Sequence, residues 1–349
     1  MIMKDTGFAV ALLNWHRTHN TRQMPWKGEK DPYKVWLSEI ILQQTRVDQG
    51  LEYYNRFVQQ YPTITALASA PHEEVFKLWE GLGYYSRCRN LIHTARFIVD
   101  NFNGIFPSTY HDILLLKGVG RYTAAAISSF AFDLPYAVVD GNVQRILSRY
   151  FGINTPVDTT EGRRLYDQLA QSLLIEEFAA EHNQAIMDLG AMICKPQLPI
   201  CEECPLQANC EAYIHGMTRQ LPVKEKKLAR KQRWLNYFVI ENPQGLFIRK
   251  RTDNDIWQNL HEFVLIESSA ELEDPGQILE SLIGEDFSIK RNNIGFRQLL
   301  THQVIHGRFF HVYTDKEISI EGYQTVHRAT ISSMAFPRII NRFLESELA

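Results

Sequence analysis

The sequence predicts a multidomain protein, with an all-α region to about residue 215 followed by an α+β domain. Three observations carry that expectation. From Phe8 to about Ser148 the apolar residues recur with helical spacing. Only short breaks interrupt them: Met24-Pro25-Trp26, Asp31-Pro32, Tyr61-Pro62, Ala70-Pro71, Asn103-Gly104-Ile105-Phe106-Pro107 and Asp133-Leu134-Pro135. From Trp234 onward the pattern turns to short alternating runs, which read as strands. Between the two, Arg219–Arg233 holds seven basic residues and one acid, Glu225, a net of +6 that marks residues 216–233 as a basic linker. A length of 349 residues suits two domains and allows three.

Composition is that of a globular protein, 45% hydrophobic and 22% charged. No apolar run approaches the ~18 residues of a membrane span, and the N-terminal Met1-Ile2-Met3-Lys4-Asp5 is no signal peptide. A reducing compartment follows, with the bacterial cytoplasm and its nucleoid as the expected location. The net charge of −3 is uneven. Residues 1–233 carry 26 Lys+Arg against 24 Asp+Glu, a net of +2, and residues 234–349 carry 11 against 16, a net of −5. A near-neutral chain can still bind a polyanion where its positive charge is local, so the basic run is either a solvated linker or a polyanion contact.

In the helical region, Pro32–Thr45 starts well, with Asp31 as N-cap and Pro32 at the first position. Its apolar residues cover more than one face, which predicts a buried helix. Glu39 has Val35 and Leu42 one turn away on either side. A carboxyl with such neighbours holds its proton to higher pH and suits a general acid; a solvent-facing Glu is the alternative. Gln43-Gln44-Thr45 closes the helix with three hydrogen-bonding side chains, as a cap or as base-reading groups. Gly81-Leu82-Gly83-Tyr84-Tyr85-Ser86-Arg87 is a glycine turn with two aromatics beside basic residues, suited to insertion between bases or to packing in the core.

Leu114–Arg145 reads as a helix end, a hairpin with Gly118 and Gly120, a new helix, and then Asp140 at the mouth of a further helix. Both glycines can take φ > 0 and leave the backbone open to close approach, and free amides at the helix start make a phosphate seat. A phosphate clamp near a lone carboxylate is what an enzyme acting on nucleic acid requires. Cys194, Cys201, Cys204 and Cys210 give C-x6-C-x2-C-x5-C in a Pro-rich loop. In a reducing compartment that pattern is a metal site, and its compact, unequal spacing favours an iron–sulfur cluster over zinc. Cys88 stands apart as a core thiol. Strands are expected over Trp234–Glu241, Gly245–Arg251, Glu262–Glu267 and parts of Phe296–Tyr313, and helices over Pro275–Ile283 and Ile331–Leu348.

These motifs resemble the helix-hairpin-helix DNA glycosylases with an iron–sulfur loop, and among them the MutY-type adenine DNA glycosylases. The resemblance rests on Met24-Pro25-Trp26, Trp36-Leu37-Ser38-Glu39, Leu42-Gln43-Gln44-Thr45, Gly81-Leu82-Gly83-Tyr84-Tyr85 and Gly118-Val119-Gly120. It continues through Val139-Asp140-Gly141-Asn142-Val143, Asn183-Gln184-Ala185, Met187-Asp188-Leu189-Gly190-Ala191 and the four-cysteine loop, over about residues 8 to 215, and less sharply beyond. It implies a monomeric base excision repair enzyme that removes adenine mispaired with 8-oxoguanine or guanine in duplex DNA and holds one [4Fe-4S] cluster. By resemblance, Glu39 protonates N7 of the flipped adenine, Asp140 stabilises the oxocarbenium-like sugar, and Asn142 orients Asp140. Gln44 and Tyr84, with Thr45, match positions that enter the duplex; Lys27, Tyr122 and Gln184 match positions around the adenine. The hairpin, about residues 112–132, would hold a phosphate together with a monovalent cation.

Tyr122 stands where endonuclease III-type relatives carry the lysine that forms a Schiff base, so the resemblance implies a monofunctional enzyme. Lys117 stands where proline is usual. The last domain, 234–349, resembles the Nudix-like domain that reads the 8-oxoguanine strand. Leu300-Thr301-His302 takes the place of a Phe-Ser-His loop, with Thr301 and His302 as lesion contacts and Leu300 lacking the ring. The Arg-Glu-x-x-Glu-Glu helix of a Nudix hydrolase is missing from Gln277–Asp286, so the domain is expected to bind only. Two other readings compete: an endonuclease III-type glycosylase for oxidised pyrimidines, and a non-catalytic iron–sulfur DNA-binding protein.

Overall fold

Asp31 starts the helix that the sequence marks most clearly, its Oδ1 accepting the Tyr33 amide at 3.0 Å. The computed structural model describes residues 6–225, 229–272 and 274–347. Its helices are α1 (Thr6–Thr18), α2 (Pro32–Leu42), α3 (Val47–Gln60), α4 (Ile64–Ser69), α5 (His72–Trp79), α6 (Ser86–Phe102) and α7 (Tyr110–Leu114). They continue with α8 (Arg121–Phe132), α9 (Gly141–Tyr150), α10 (Thr160–Leu173), α11 (Ala179–Met192) and α12 (Glu211–Ile214). In α2 every residue from Val35 to Ile41 is buried, as its all-round apolar pattern predicts. The helix ends at Leu42, because Gln44 turns left-handed at φ 56°. Phe8, Leu12, Leu147, Tyr166, Ala185 and Leu189 form a core shared by α1, α9, α10 and α11. Among the described residues no helix is long and apolar enough to cross a membrane.

Contacts divide the chain into two compact units, Met1–Ser69 with Asn90–Lys226, and Ala70–Arg89 with Lys227–Ala349. The segment Ala70–Arg89 thus groups with the C-terminal part rather than with the helices that flank it in sequence. Lys77 Nζ donates to the Met334 carbonyl at 2.9 Å, the Phe336 amide donates to Glu80 at 2.8 Å, and Lys250 pairs with Glu73 at 2.8 Å.

The second unit is built on a six-stranded mixed sheet of β1 (Lys231–Asn242), β2 (Gly245–Lys250), β3 (His261–Ser268), β4 (Ser288–Leu299), β5 (Gln303–Tyr313) and β6 (Gln324–Val326), ordered β4-β5-β1-β3-β2-β6. β1 runs parallel to β5, with Trp234 opposite His306; the other pairings are antiparallel. Successive residues face opposite sides. Phe238, Phe310 and Val312 therefore pack on α13 (Gly276–Ile283) through Leu279 and Ile283. On the other face Phe309 stacks at 4.6 Å on Phe343 of α14 (Arg338–Glu347).

Three expectations are corrected here. The C-terminal helix expected over Ile331–Leu348 is a 3-10 turn, Arg328–Ser333, followed by α14, with Pro337 between them; Leu348 lies outside the described residues. Proline supplies no amide for a continuous helix, and the Pro337 carbonyl instead accepts the Ile340 and Asn341 amides that open α14. β4 begins at Ser288, eight residues earlier than the expected strand, and β6 was not expected. The linker is also shorter than 216–233. The Val157 amide reaches the Val223 carbonyl at 3.1 Å, and Arg233 lies inside β1, paired with Asp255 and Glu267 at 2.8 and 2.7 Å. Lys226, Lys227 and Leu228 of that basic run lie outside the described residues.

Candidate active site

One cavity of about 900 Å³ in the first unit is lined by Lys27, Glu39, Gln44, Thr45, Tyr122, Asp140, Asn142 and Gln184. The structure therefore brings together eight of the residues singled out in the sequence. Glu39 arrives from the buried stretch of α2 and is 8% exposed. Burial pushes its carboxyl up to about 7; the hydrogen bond from Tyr122 opposes that shift and the charge of Asp140 adds to it. Tyr122 sits in the first turn of α8. Burial, and then the fields of Glu39 and Asp140, raise its phenol well above the usual range, so it stays a hydrogen-bond donor to Glu39.

Asp140 is the N-cap of α9, which explains a lone acid before Gly141-Asn142-Val143. Its Oδ1 accepts the Asn142 and Val143 amides, both at 2.8 Å, and its Oδ2 accepts Asn142 Nδ2 at 2.7 Å. Asn142 is in turn held by Arg145, whose Nη2 donates to Asn142 Oδ1 at 2.9 Å and to the Gly190 carbonyl at 2.8 Å, while Nε reaches the Cys194 carbonyl at 2.7 Å. Arg145 was not singled out from sequence, although it follows Asn142 by three residues, the spacing of one helical face. Gly190 is required here: a Cβ on it would stand 2.5 Å from Asn142 Cβ. The carboxylate is thus fixed by a helix start and by the close approach of α11 to α9.

Lys27 and Gln184 line the same cavity, but both are tied to Asp188, which stands within a motif singled out in the sequence but was given no role there. Asp188 is fully buried and accepts from Lys27 Nζ at 3.1 Å, Gln184 Nε2 at 2.9 Å, Arg22 Nη1 at 2.9 Å and Asn20 Nδ2 at 2.7 Å. A lone acid four residues after Gln184, within an apolar run, was the available signal.

Gln44 lines the cavity from the end of α2, whereas the remaining candidates fall elsewhere. Gln44 is exposed and left-handed, so its side chain projects from the end of α2, while Gln43 Nε2 bonds Thr123 Oγ1 at 3.3 Å. Between α7 and α8, Gly118 takes φ 84° and lies against Asn90, which a Cβ would meet at 2.8 Å. Gly120 is extended at φ −95° rather than positive, serves as the N-cap of α8, and has open space where a Cβ would go. Lys117 sits in this hairpin, its carbonyl accepting Thr94 Oγ1 at 3.0 Å. Tyr84, Thr301 and His302 belong to the second unit. Tyr84 is 44% exposed at φ 47°, and its hydroxyl meets Thr301 Oγ1 at 2.5 Å. Leu300-Thr301-His302 is the tip of the β4–β5 hairpin, closed by the Leu300 amide on the Gln303 carbonyl at 2.8 Å, with His302 exposed.

Cys194, Cys201, Cys204 and Cys210 line a second, small cavity of about 30 Å³. Among the described residues no three His, Cys, Asp or Glu side chains converge as ligands of a single ion. Arg149, 2% exposed, donates to Cys194 Sγ at 3.3 Å and to the Lys195 and Pro196 carbonyls at 2.8 Å, so it braces the loop. Burial pushes the Cys204 thiol up to about 12, and burial with the fields of the neighbouring thiols raises Cys201 and Cys210. Cys88 is buried on its own in the other unit.

Comparison with known proteins bears on these features. A family model described as HhH-GPD superfamily base excision DNA repair protein matches residues 37–170, and one described as NUDIX domain matches residues 236–346. The adenine DNA glycosylase of Buchnera aphidicola subsp. Baizongia pistaciae is 34% identical over 309 residues, covering 87% of this chain and 85% of the relative. That of Mus musculus is 44% identical over 226 residues, covering 62% of this chain and 44% of the relative. A solved structure of a thermostable thymine-DNA glycosylase superposes with a TM-score of 0.55 at 30% identity, covering 60% of this chain and 95% of its own. With both halves of the chain matched in order, and one relative aligned along most of both lengths, the chain belongs to the adenine DNA glycosylase family.

Proposed function

We propose that the protein hydrolyses the N-glycosidic bond of adenine mispaired with 8-oxoguanine or guanine in duplex DNA and leaves an abasic site with the strand intact. The observation that carries this reading is the pair of carboxyls with opposed environments in one cavity. Glu39 keeps its proton near neutral pH, whereas three N–H donors converge on Asp140. With adenine swung out of the stack into the cavity, Glu39 gives its proton to N7. The bond to the sugar breaks, and its electron pair stays on the base. Asp140 faces the positive charge that develops at the sugar until water attacks C1′, and the Glu39 carboxylate takes the proton that the water loses. Tyr122 offers no amine for a Schiff base, which supports release without strand cleavage.

The four cysteines suit a [4Fe-4S] cluster better than a single ion. They line one cavity in a compact loop whose spacing, C-x6-C-x2-C-x5-C, is short and unequal. Such a cluster, held by Cys194, Cys201, Cys204 and Cys210, would supply a structural tie for the loop, which Arg149 already braces. The hairpin around Gly118 and Gly120, with a monovalent cation, would hold a DNA phosphate. Exposed Gln44, with Thr45, and Tyr84 would enter the duplex, and Thr301 and His302 would contact 8-oxoguanine. The test compares Asp140→Asn with the parent protein on a duplex containing adenine opposite 8-oxoguanine. Base release is expected to vanish while duplex binding persists; unimpaired turnover would sink the assignment.

A further inference from the structure

Four donors converge on the buried carboxylate of Asp188, and two of them fix the polarity of groups that face the cavity. Gln184 turns its Nε2 back to Asp188 Oδ1 at 2.9 Å, so the carbonyl branch, Oε1, is the end left for the cavity. Asn20 donates Nδ2 to Asp188 Oδ2 at 2.7 Å, and its Oδ1 accepts the Arg22 amide at 3.0 Å; both bonds set the orientation of its amide. The same Nδ2 stands 2.8 Å from Nδ1 of His16, which lines the cavity. A nitrogen facing an N–H donor must offer a lone pair, so the His16 proton sits on Nε2. Burial, and then the nearby charge of Lys27, lower the His16 pKa and keep the ring neutral.

We propose that Asp188 is a positioning residue and that His16 is a further specificity residue: beside Gln184, which the family resemblance already puts at the adenine, Asp188 holds a donor, His16 Nε2–H, toward the cavity, and the two together read the Watson–Crick edge of adenine. The adenine 6-amino group donates to Gln184, and N1 accepts from His16. Guanine presents the inverse at that edge, an O6 acceptor and an N1–H donor, so each contact would set like against like. Buried polar groups left without partners are what makes a hydrogen-bonding site selective. Asp188 itself lies behind the cavity wall and sets both polarities through side chains that come from α11 and from the region where α1 ends.

This inference rests on the adenine glycosylase reading. Its test measures single-turnover base release from full-length protein on duplexes carrying adenine, 1-deazaadenine or unsubstituted purine opposite 8-oxoguanine. Each rate is normalised to acid-catalysed release of the same base. The parent is expected to release 1-deazaadenine, which lacks N1, and purine, which lacks the amino group, about tenfold more slowly than adenine. His16→Phe should slow adenine about tenfold and erase the gap to 1-deazaadenine; Gln184→Leu should erase the gap to purine. Asp188→Asn, which offers an amide where four donors need a carboxylate, should narrow both gaps together. A parent that releases adenine and 1-deazaadenine equally fast overturns the role of His16, even if no variant folds. So does an equal loss on both bases in His16→Phe. A parent that releases adenine from none of these duplexes removes the glycosylase reading itself, a separable result.

Discussion

At Glu39 the burial that suits a general acid also makes activity and stability fall together as pH rises. Its folded pKa, about 7, lies above the ordinary 4.5, so its folded form favours the proton. Below about 4.5 it costs the fold nothing; between 4.5 and 7 an increasing share of stability is lost, up to the order of 3 kcal/mol above that window. Single-turnover base release is therefore expected to decline about tenfold per pH unit well above pH 7. A flat profile from pH 6 to 9 would contradict the role of Glu39. Glu39→Gln should lose base release yet melt at a higher temperature than the parent at pH 8, and calorimetry at pH 8 and pH 5 checks the sign. Spacing alone raised Glu39 as a candidate, because Val35 and Leu42 lie beside it on the same helix. Asp188 was not legible in that way. Its partners Asn20, Arg22 and Lys27 stand 168, 166 and 161 residues earlier, and no local pattern encodes such distances.

The helices of the first unit were legible wherever caps and prolines speak locally. Asp31 with Pro32 and the apolar run to Ile41 define α2, and the acid at Asp140 marks the start of α9. Sequence was silent on why α11 approaches α9 so closely, since the role of Gly190 depends on meeting Asn142 in space. Gly190→Ala would place Cβ 2.5 Å from Asn142 Cβ, too close for any real contact. We expect a loss of about 1–3 kcal/mol, as for overpacked cores, together with slower base release, because Asn142 carries Asp140. Denaturant melts and single-turnover rates measure the two effects; wild-type values for both would show that α11 can move away freely. In the second unit Pro337 cut an expected helix in two. The three-residue β6 is too short for alternation to announce it.

For the whole molecule, sequence placed a helical region before a strand-rich one and found the cysteine loop, but not the grouping of Ala70–Arg89 with the C-terminal unit. That grouping rests on contacts of Lys77 and Glu80 with residues 334 and 336, more than 250 positions away in the chain. Cys204→Ser is expected to lose protein-bound iron and lower the melting temperature; iron content equal to the parent would refute the cluster assignment. His302→Ala, at the β4–β5 tip, should reduce the preference for 8-oxoguanine over guanine opposite adenine, and unchanged discrimination would remove that contact. The most direct measurement of the central claim incubates purified protein with a duplex containing adenine opposite 8-oxoguanine and follows both base and strand. The account predicts free adenine, with strand scission only after alkali; no adenine, or scission without alkali, would contradict it.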